Sequence, residues 1–301
     1  MICVKVPATS ANFGAGFDSL GAALNYYNLI EMEEYSGCRI EILDDTAVPT
    51  DESNLVYQTA RALYEHCGRP FPGLHIRQRN RIPTARGLGS SSACIAGGLL
   101  GANELLGRPC TLDELVDLAA AMEGHPDNST PALLGGFVAA AMENGHVYYA
   151  RCPVPEGLGF VAVIPDFELK TADARRALPD SYVRADAVYN LSRSALMALS
   201  MAQGRLENLK IAAGDRLHQP YRLRLIPGAE EVFDFFDRQG AYASYISGAG
   251  STLMALVDAA RQEEFCRETE AFLKEAGHLG WKVLGLRAGE GARVINTEEE
   301  M

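Results

Sequence analysis

Residues 81–98 read RIPTARGLGSSSACIAGG. The alternating run GLHIRQRNRIP that leads into them reads as a strand, and the segment from Ser91 to Leu106 reads as a helix closed by Gly107. Strand, glycine-serine loop and helix in that order suit an anion. Glycine lets the backbone come close and turn its N–H groups inward, while the helix N-terminus adds unpaired donors and about half a positive charge. No lysine follows the loop, so it is not the G-x-x-x-x-G-K-[ST] phosphate loop. Ser92 takes the third glycine's place in G-x-G-x-x-G, so the dinucleotide fingerprint fails too. Two readings stay open: a phosphate cradle, or a tight turn at Gly87 and Gly89 with Ser90 capping the helix.

Downstream, TLDELVDLAAAMEGH predicts a helix capped by Thr111 with Glu114 three residues on, and ended by Gly124. Glu123 stands at its end, with Asp127 and Asn128 in the segment beyond. A carboxylate facing a phosphate loop is what a magnesium site needs; alone, Glu123 is equally an exposed helix-end charge. His125 reads as a hydrogen-bonded turn residue. Near the N-terminus, PATSANFGAGFDSLG is dense in small polar residues between two strand patterns, with Asn12 and Asp18 as turn formers.

The remaining pattern is mixed α and β. CVKVPA reads as a strand ending at Pro7, YYNLIEMEEY and CRIEILDD as a strand pair, and NLVYQTARALYEHC as a helix stopped by Gly68. DNSTPALLGG reads as a loop and FVAAAM as a strand. Pro153 and Pro155 bracket the least regular region and mark a boundary. Beyond it, GFVAVIP is a buried strand. Helices follow at TADARRAL, Tyr189 to Met201 and EEVFDFFDRQG, then AYASYIS and STLMALVD flank a second glycine turn; a helix and KVLGLRA end the pattern. This is an α+β fold class in two lobes. With 301 residues, 48% of them apolar, the chain has room for two cores. A net charge of -12 argues against nucleic acid as partner. Its apolar runs fall short of the roughly 20 residues of a membrane span, and no signal-like segment opens it, so a cytoplasmic protein is expected. The seven cysteines show no metal or disulfide spacing and read as buried thiols.

Three blocks together resemble the GHMP superfamily of small-molecule kinases, and within it most closely the homoserine kinases. PATSANFGAGFDSLG looks like the first motif, PTARGLGSSSA like the phosphate loop P-x-x-x-G-L-G-S-S-[AS], and ISGAGSTLMALVD like the glycine-rich third motif. EGHPDN, TADARRALP and HQPYRLRLIPG narrow the likeness to homoserine kinases. The resemblance implies an N-terminal domain over 1–155, similar to the second domain of ribosomal protein S5, and a ferredoxin-like domain over 156–301. It implies ATP-dependent phosphorylation of the L-homoserine side-chain hydroxyl on the route to threonine, with ATP and Mg²⁺ as cofactors. The partners implied are ATP and a small hydroxy amino acid, in a homodimer.

Residue roles follow from the same likeness. Arg86, Gly87, Leu88, Gly89, Ser90, Ser91 and Ser92 are expected around the ATP phosphates, with Ser91 and Glu123 as metal ligands. Glu123, Ser91 and Asn128 are the expected catalytic residues. Asn12, Asp18, Asn128, Arg175, Arg222 and Gly248 are expected to hold the substrate, Asp18 its ammonium and the two arginines its carboxylate; Gly250 shapes the cleft with Gly248. Asn128 stands where relatives carry an Asp base; an amide takes no proton, which leaves catalysis to positioning and charge, with Asp127 as the remaining candidate base. The chain departs from the family pattern in reading N-S-T-P at 128–131 for N-V-A-P, in lacking the third motif's proline, and in carrying Ser92 where alanine is more usual. A kinase for another alcohol, such as threonine or a mevalonate-like acid, and a silent ligand sensor are the competing readings.

Overall fold

The computed structural model describes residues 1–296. Along the chain the strands are β1 (Ile2–Ala11), β2 (Leu20–Glu34), β3 (Gly37–Ile42), β4 (Gly73–Arg79), β5 (Phe137–Glu143), β6 (His146–Cys152), β7 (Leu158–Ile164), β8 (Ala243–Ile246), β9 (Leu253–Asp258), β10 (Lys282–Leu286) and β11 (Arg293–Ile295). The helices are α1 (Leu55–His66), α2 (Ser90–Leu105), α3 (Leu112–Glu123), α4 (Pro126–Leu134), α5 (Thr171–Arg176), α6 (Arg184–Gln203), α7 (Leu209–Ala212), α8 (Gln219–Arg222), α9 (Ala229–Arg238) and α10 (Gln262–Glu275).

Two sheets divide the strands. The first runs β11-β1-β2-β4-β3, with the β5–β6 hairpin paired to the start of β2; the second runs β10-β7-β9-β8. The expected α+β class in two lobes holds. The 155/156 junction falls between the sheets, yet β11 returns to pair with β1, Cys3 opposite Ile295. The last five residues of the 156–301 segment lie outside the described residues. β7 is buried along its whole length, because its two faces serve different cores. Phe160, Ala162 and Ile164 pack into the first and Val161 and Val163 into the second, as the two-residue period of a strand requires.

The run ACIAGGLLGA is small because α2 is the central helix of the first lobe. A Cβ on Gly97 would meet Ile30 at 2.4 Å, and one on Gly101 would meet Met32 at 2.4 Å. These glycines let α2 lie against the sheet, and so fix where its N-terminus emerges. α3 carries the expected capping box, with Thr111 Oγ1 accepting from the Glu114 N–H and Glu114 from the Thr111 N–H.

Three local expectations change. Pro7 does not stop β1; the register against β2 shifts between Pro7 and Ala8, a bulge that absorbs the missing N–H. YYNLIEMEEY and CRIEILDD are strands but not partners: β4 lies between them, parallel to β3, and α1 supplies the crossover a parallel pair needs. DNSTPALLGG is largely the helix α4, with Pro126 in its first turn and Pro131 inside it. Pro131 has no N–H for the Asp127 carbonyl, and that carbonyl instead faces Gly21, where a Cβ would sit 1.8 Å from it. No disulfide joins the cysteines. Only Cys3 is fully buried, the other thiols being half-buried at the edges of the cores. Among the described residues no helix is long and apolar enough to cross a membrane.

The capping box gives a direct check on α3. Thr111→Ala is expected to lower unfolding free energy in urea by about 1 kcal/mol; no measurable change would show that the box contributes nothing.

Candidate active site

The phosphate-loop region ends in Gly89, the N-cap of α2, whose φ of 69° is left-handed. A Cβ there would collide with Thr9 Oγ1 at 1.9 Å, so the position demands glycine on two counts. No side chain caps the helix, and its first intrahelical bond runs from the Ala93 N–H to the Gly89 carbonyl at 2.9 Å. The amides of Ser90, Ser91 and Ser92 precede it and are left for an outside acceptor. Of the two readings of GLGSSS, the turn at Gly87 and Gly89 is present, but Ser90 is not the cap. The loop is an anion-ready helix end.

The second wall comes from the β1–β2 loop, where Asn12, Phe13, Gly14 and Asp18 all have positive φ. Asn12 closes that loop by accepting from the Asp18 N–H at 3.1 Å and donating to the Gly248 carbonyl at 2.7 Å. The third is the glycine turn between β8 and β9, and the fourth is α5 with α8. Every site residue named from the sequence lines the resulting cleft except Leu88. Leu88 points into the core, and its carbonyl accepts from the Thr9 N–H at 3.1 Å.

Several named residues have partners that revise their expected parts. The Arg86 guanidinium donates to the carbonyls of Pro165 (3.1 Å) and Asp166 (2.9 Å), so it ties the loop to the second lobe while lining the cleft. Asn128 accepts from Thr9 Oγ1 at 2.7 Å. Asp18 and Arg175, expected at opposite ends of a ligand, form a bidentate pair at 2.8 and 3.0 Å.

Glu123 ends α3 against the first turn of α2. Its Oε1 accepts from Ser92, not Ser91: one residue of helix turns Ser92 inward, leaving Ser91 exposed toward the cleft. Oε2 is buried with no hydrogen-bond partner among the described residues. Burial is the main influence on this carboxyl and pushes its pKa up to about 7, against the opposing pull of His125 and Ser92. An orphaned carboxylate oxygen beside serine hydroxyls and helix amides is a donor set for a hard cation shared with phosphate.

His125, read from the sequence as a turn residue, is the N-cap of α4 and lines the cleft. Its Nδ1 lies 2.5 Å from Asp127 Oδ1. Burial works to lower its pKa, but the bond and charge of Asp127, with Glu123 and Asp18 beyond, outweigh it and raise the value. The closeness of Asp18, His125 and Asp127 joins two motifs more than a hundred residues apart, which spacing alone does not reveal. Ser129 and Thr130, the departures from the family pattern, are fully buried and do not line the cleft.

At the opposite end Arg222 is 2% exposed. It donates to the Gly248 carbonyl at 3.1 Å, and no carboxylate lies within ion-pair distance among the described residues. Burial, reinforced by nearby Arg175, pushes its pKa down to about 10. A buried guanidinium that still carries its charge calls for an anion from outside.

The Glu123 environment has a thermodynamic signature. The folded protein holds this proton more tightly than the unfolded chain, whose carboxyl titrates near 4.5. The resulting stabilisation is complete below that value and is lost as pH rises through about 7. In urea titrations without divalent cations, wild type is expected to lose on the order of 1–3 kcal/mol relative to Glu123→Gln between about pH 5 and 8. A difference that stays flat with pH would contradict the buried, unpartnered carboxyl.

Known proteins match this architecture along the chain. Residues 54–136 match the GHMP kinases N terminal domain and residues 195–275 the GHMP kinases C terminal model. The homoserine kinase of Clostridium beijerinckii is 44% identical over 300 residues, covering 98% of this chain and 99% of that protein. That of Petrotoga mobilis is 44% identical over 304 residues, covering 99% and 98%. Among solved structures, the homoserine kinase of Cytophaga hutchinsonii superposes with a TM-score of 0.87 at 29% identity, covering 98% of this chain and 97% of that one. A mevalonate kinase from Methanococcus jannaschii, 14% identical with a TM-score of 0.69 over 96% and 98%, shares the fold. With relatives more than 40% identical along nearly its whole length and the two domain models matched in order, the chain belongs to the homoserine kinase family of the GHMP kinases.

Proposed function

We propose that the chain transfers the γ-phosphoryl group of Mg·ATP to the side-chain hydroxyl of L-homoserine, giving O-phospho-L-homoserine for threonine biosynthesis. One observation carries the choice of substrate class: Arg222, a buried guanidinium without a carboxylate partner, faces the same cleft as the free amides of α2. An anion belongs at each end, a carboxylate at Arg222 and phosphates at the helix. The side-chain hydroxyl of homoserine would lie between them.

The amides of Ser90, Ser91 and Ser92 would receive phosphate oxygens. Glu123 Oε2, with the serine hydroxyls of the first turn of α2, would hold Mg²⁺, which when bound neutralises the phosphate charge that builds up during transfer. Asp18, half-exposed beside Arg175, offers its carboxylate to the substrate ammonium, and Arg175 turns to share the substrate carboxylate. Asn128 is held by Thr9 and fixes the approach of the hydroxyl rather than taking its proton, which leaves late, to a phosphate oxygen or water, as the bond to the departing ADP breaks. Catalysis on this reading is alignment of the reactants plus charge stabilisation in a walled site. Residues 1–155 would serve mainly the nucleotide and 156–301 mainly the substrate carboxylate. The likeness to homoserine kinases also supports a cytoplasmic homodimer.

Ser129 and Thr130 are buried outside the cleft lining, with Ser129 close enough to Glu123 to oppose the burial that raises its pKa, so on this reading neither side chain touches the alcohol. The test is Mg·ATP consumption with L-homoserine, L-threonine, L-serine, mevalonate and myo-inositol, run on wild type and Arg222→Leu. L-Homoserine should be strongly preferred. The variant should raise its KM by about a hundredfold, the scale of a buried ion pair lost, with the KM for ATP unchanged. Equal turnover with an alcohol lacking a carboxylate, or an unaltered KM in the variant, would refute this reading.

A further inference from the structure

Phe17 sits in the left-handed loop between β1 and β2, next to Asp18. Three side chains from other elements gather on its ring. The imidazole of His218 stacks on it, with centroids 5.1 Å apart and planes at 21°. The guanidinium carbon of Arg222 lies 5.0 Å from the ring centroid, and that of Arg175 lies 5.6 Å away. Arg222 and Arg175 come from α8 and α5, so this single ring is a meeting point for the two arginines expected to hold the substrate carboxylate.

The surroundings explain why a ring is needed there. Two guanidiniums that share a neighbourhood repel, and Arg175 is among the causes lowering the Arg222 pKa. The polar partners of Arg222 are the carbonyls of Gly248 at 3.1 Å and Ala174 at 3.5 Å, and His218 Nδ1 at 3.4 Å. His218 Nε2 lies 2.7 Å from the Gly14 carbonyl, a contact in which the nitrogen must donate. That leaves Nδ1 to accept from Arg222. Burial lowers the His218 pKa against the pull of Asp215, in keeping with a neutral ring. A carboxylate in place of the phenyl ring would neutralise the arginines; the π face attracts them without doing so.

We infer that Phe17 is a positioning residue for carboxylate recognition: its ring gathers Arg222 and Arg175 into one clamp, leaving Arg222 its charge for the substrate while Arg175, paired with Asp18 at the partly exposed edge, is held where it can exchange that partner for the substrate carboxylate. This rests on the proposed function above and assigns a part to a residue that touches no reacting atom.

The experiment compares wild type, Phe17→Leu, Phe17→Tyr and a protein with pentafluorophenylalanine at position 17, which keeps the shape but reverses the polarity of the ring face. Each is assayed with L-homoserine and with the alcohol in which the carboxylate is reduced to hydroxymethyl. Phe17→Leu and the fluorinated protein should raise the KM for L-homoserine about tenfold, with kcat and the KM for ATP within about twofold of wild type. Their preference for L-homoserine over the reduced alcohol should fall by the same factor, and Phe17→Tyr should retain it. Should Phe17→Leu fail to fold, the fluorinated protein decides alone. Equal losses on both substrates, or no loss in the fluorinated protein, would overturn the inference and make Phe17 a packing residue. A wild type without preference for L-homoserine would instead remove the substrate reading, and the inference with it.

Discussion

A contact between two backbones holds the cleft in shape. Gly87, with a φ of 77°, lies so close to the glycine turn between β8 and β9 that a Cβ would sit 2.2 Å from the Ser247 carbonyl and 2.8 Å from that of Gly250. Ser247 Oγ donates to the Gly87 carbonyl at 2.7 Å, and the Thr252 N–H to the Arg86 carbonyl at 3.0 Å. The Gly248 N–H donates to the Ala11 carbonyl at 3.2 Å, and the Asn12 side-chain amide donates back to the Gly248 carbonyl. Three glycine-rich segments, far apart in the chain, thus meet main chain to main chain. Side chains at those points would hold the lobes apart, and α2 would no longer face α8 across a narrow gap.

Charge is then distributed along the gap by depth. Glu123, with an unmet carboxylate oxygen, lies under the helix end; Arg222, with an unmet positive charge, lies at the far wall. Between them Asp18 and Arg175 satisfy one another. A buried polar group without a partner costs free energy comparable to a lost hydrogen bond or more, a cost that a ligand of the right polarity in the cleft relieves. The middle pair is different. It is partly exposed and can exchange partners cheaply, which lets the same groups keep the cleft ordered before the substrate arrives.

How much of this was legible in the sequence depends on the distance over which each feature acts. Local features read well: the capping box at Thr111, the helix after GLGSSS and the alternating strands follow from neighbours within four residues. Glycine spacing placed the phosphate loop, and the family likeness supplied the arginines. What failed depended on tertiary partners. β4 inserted between β2 and β3 because α1 carries the chain across. DNSTPALLGG became helical despite Pro131, because Gly21 leaves room for the carbonyl the proline cannot serve. The contact of Ser92 with Glu123 had no local sign, since helix rotation is decided by how α2 packs on the sheet. Arg86 and Leu88 carried no sequence sign that one would tie the lobes and the other enter the core.

The most direct measurement of the central claim is a structure of the ternary complex with a non-hydrolysable ATP analogue, Mg²⁺ and L-homoserine. Phosphate oxygens are expected on the amides of Ser90, Ser91 and Ser92, the metal on Glu123, and the amino-acid carboxylate on Arg222 with its hydroxyl directed at the γ-phosphate. Phosphates bound away from the α2 N-terminus, or a carboxylate that leaves Arg222 without an anion, would contradict it.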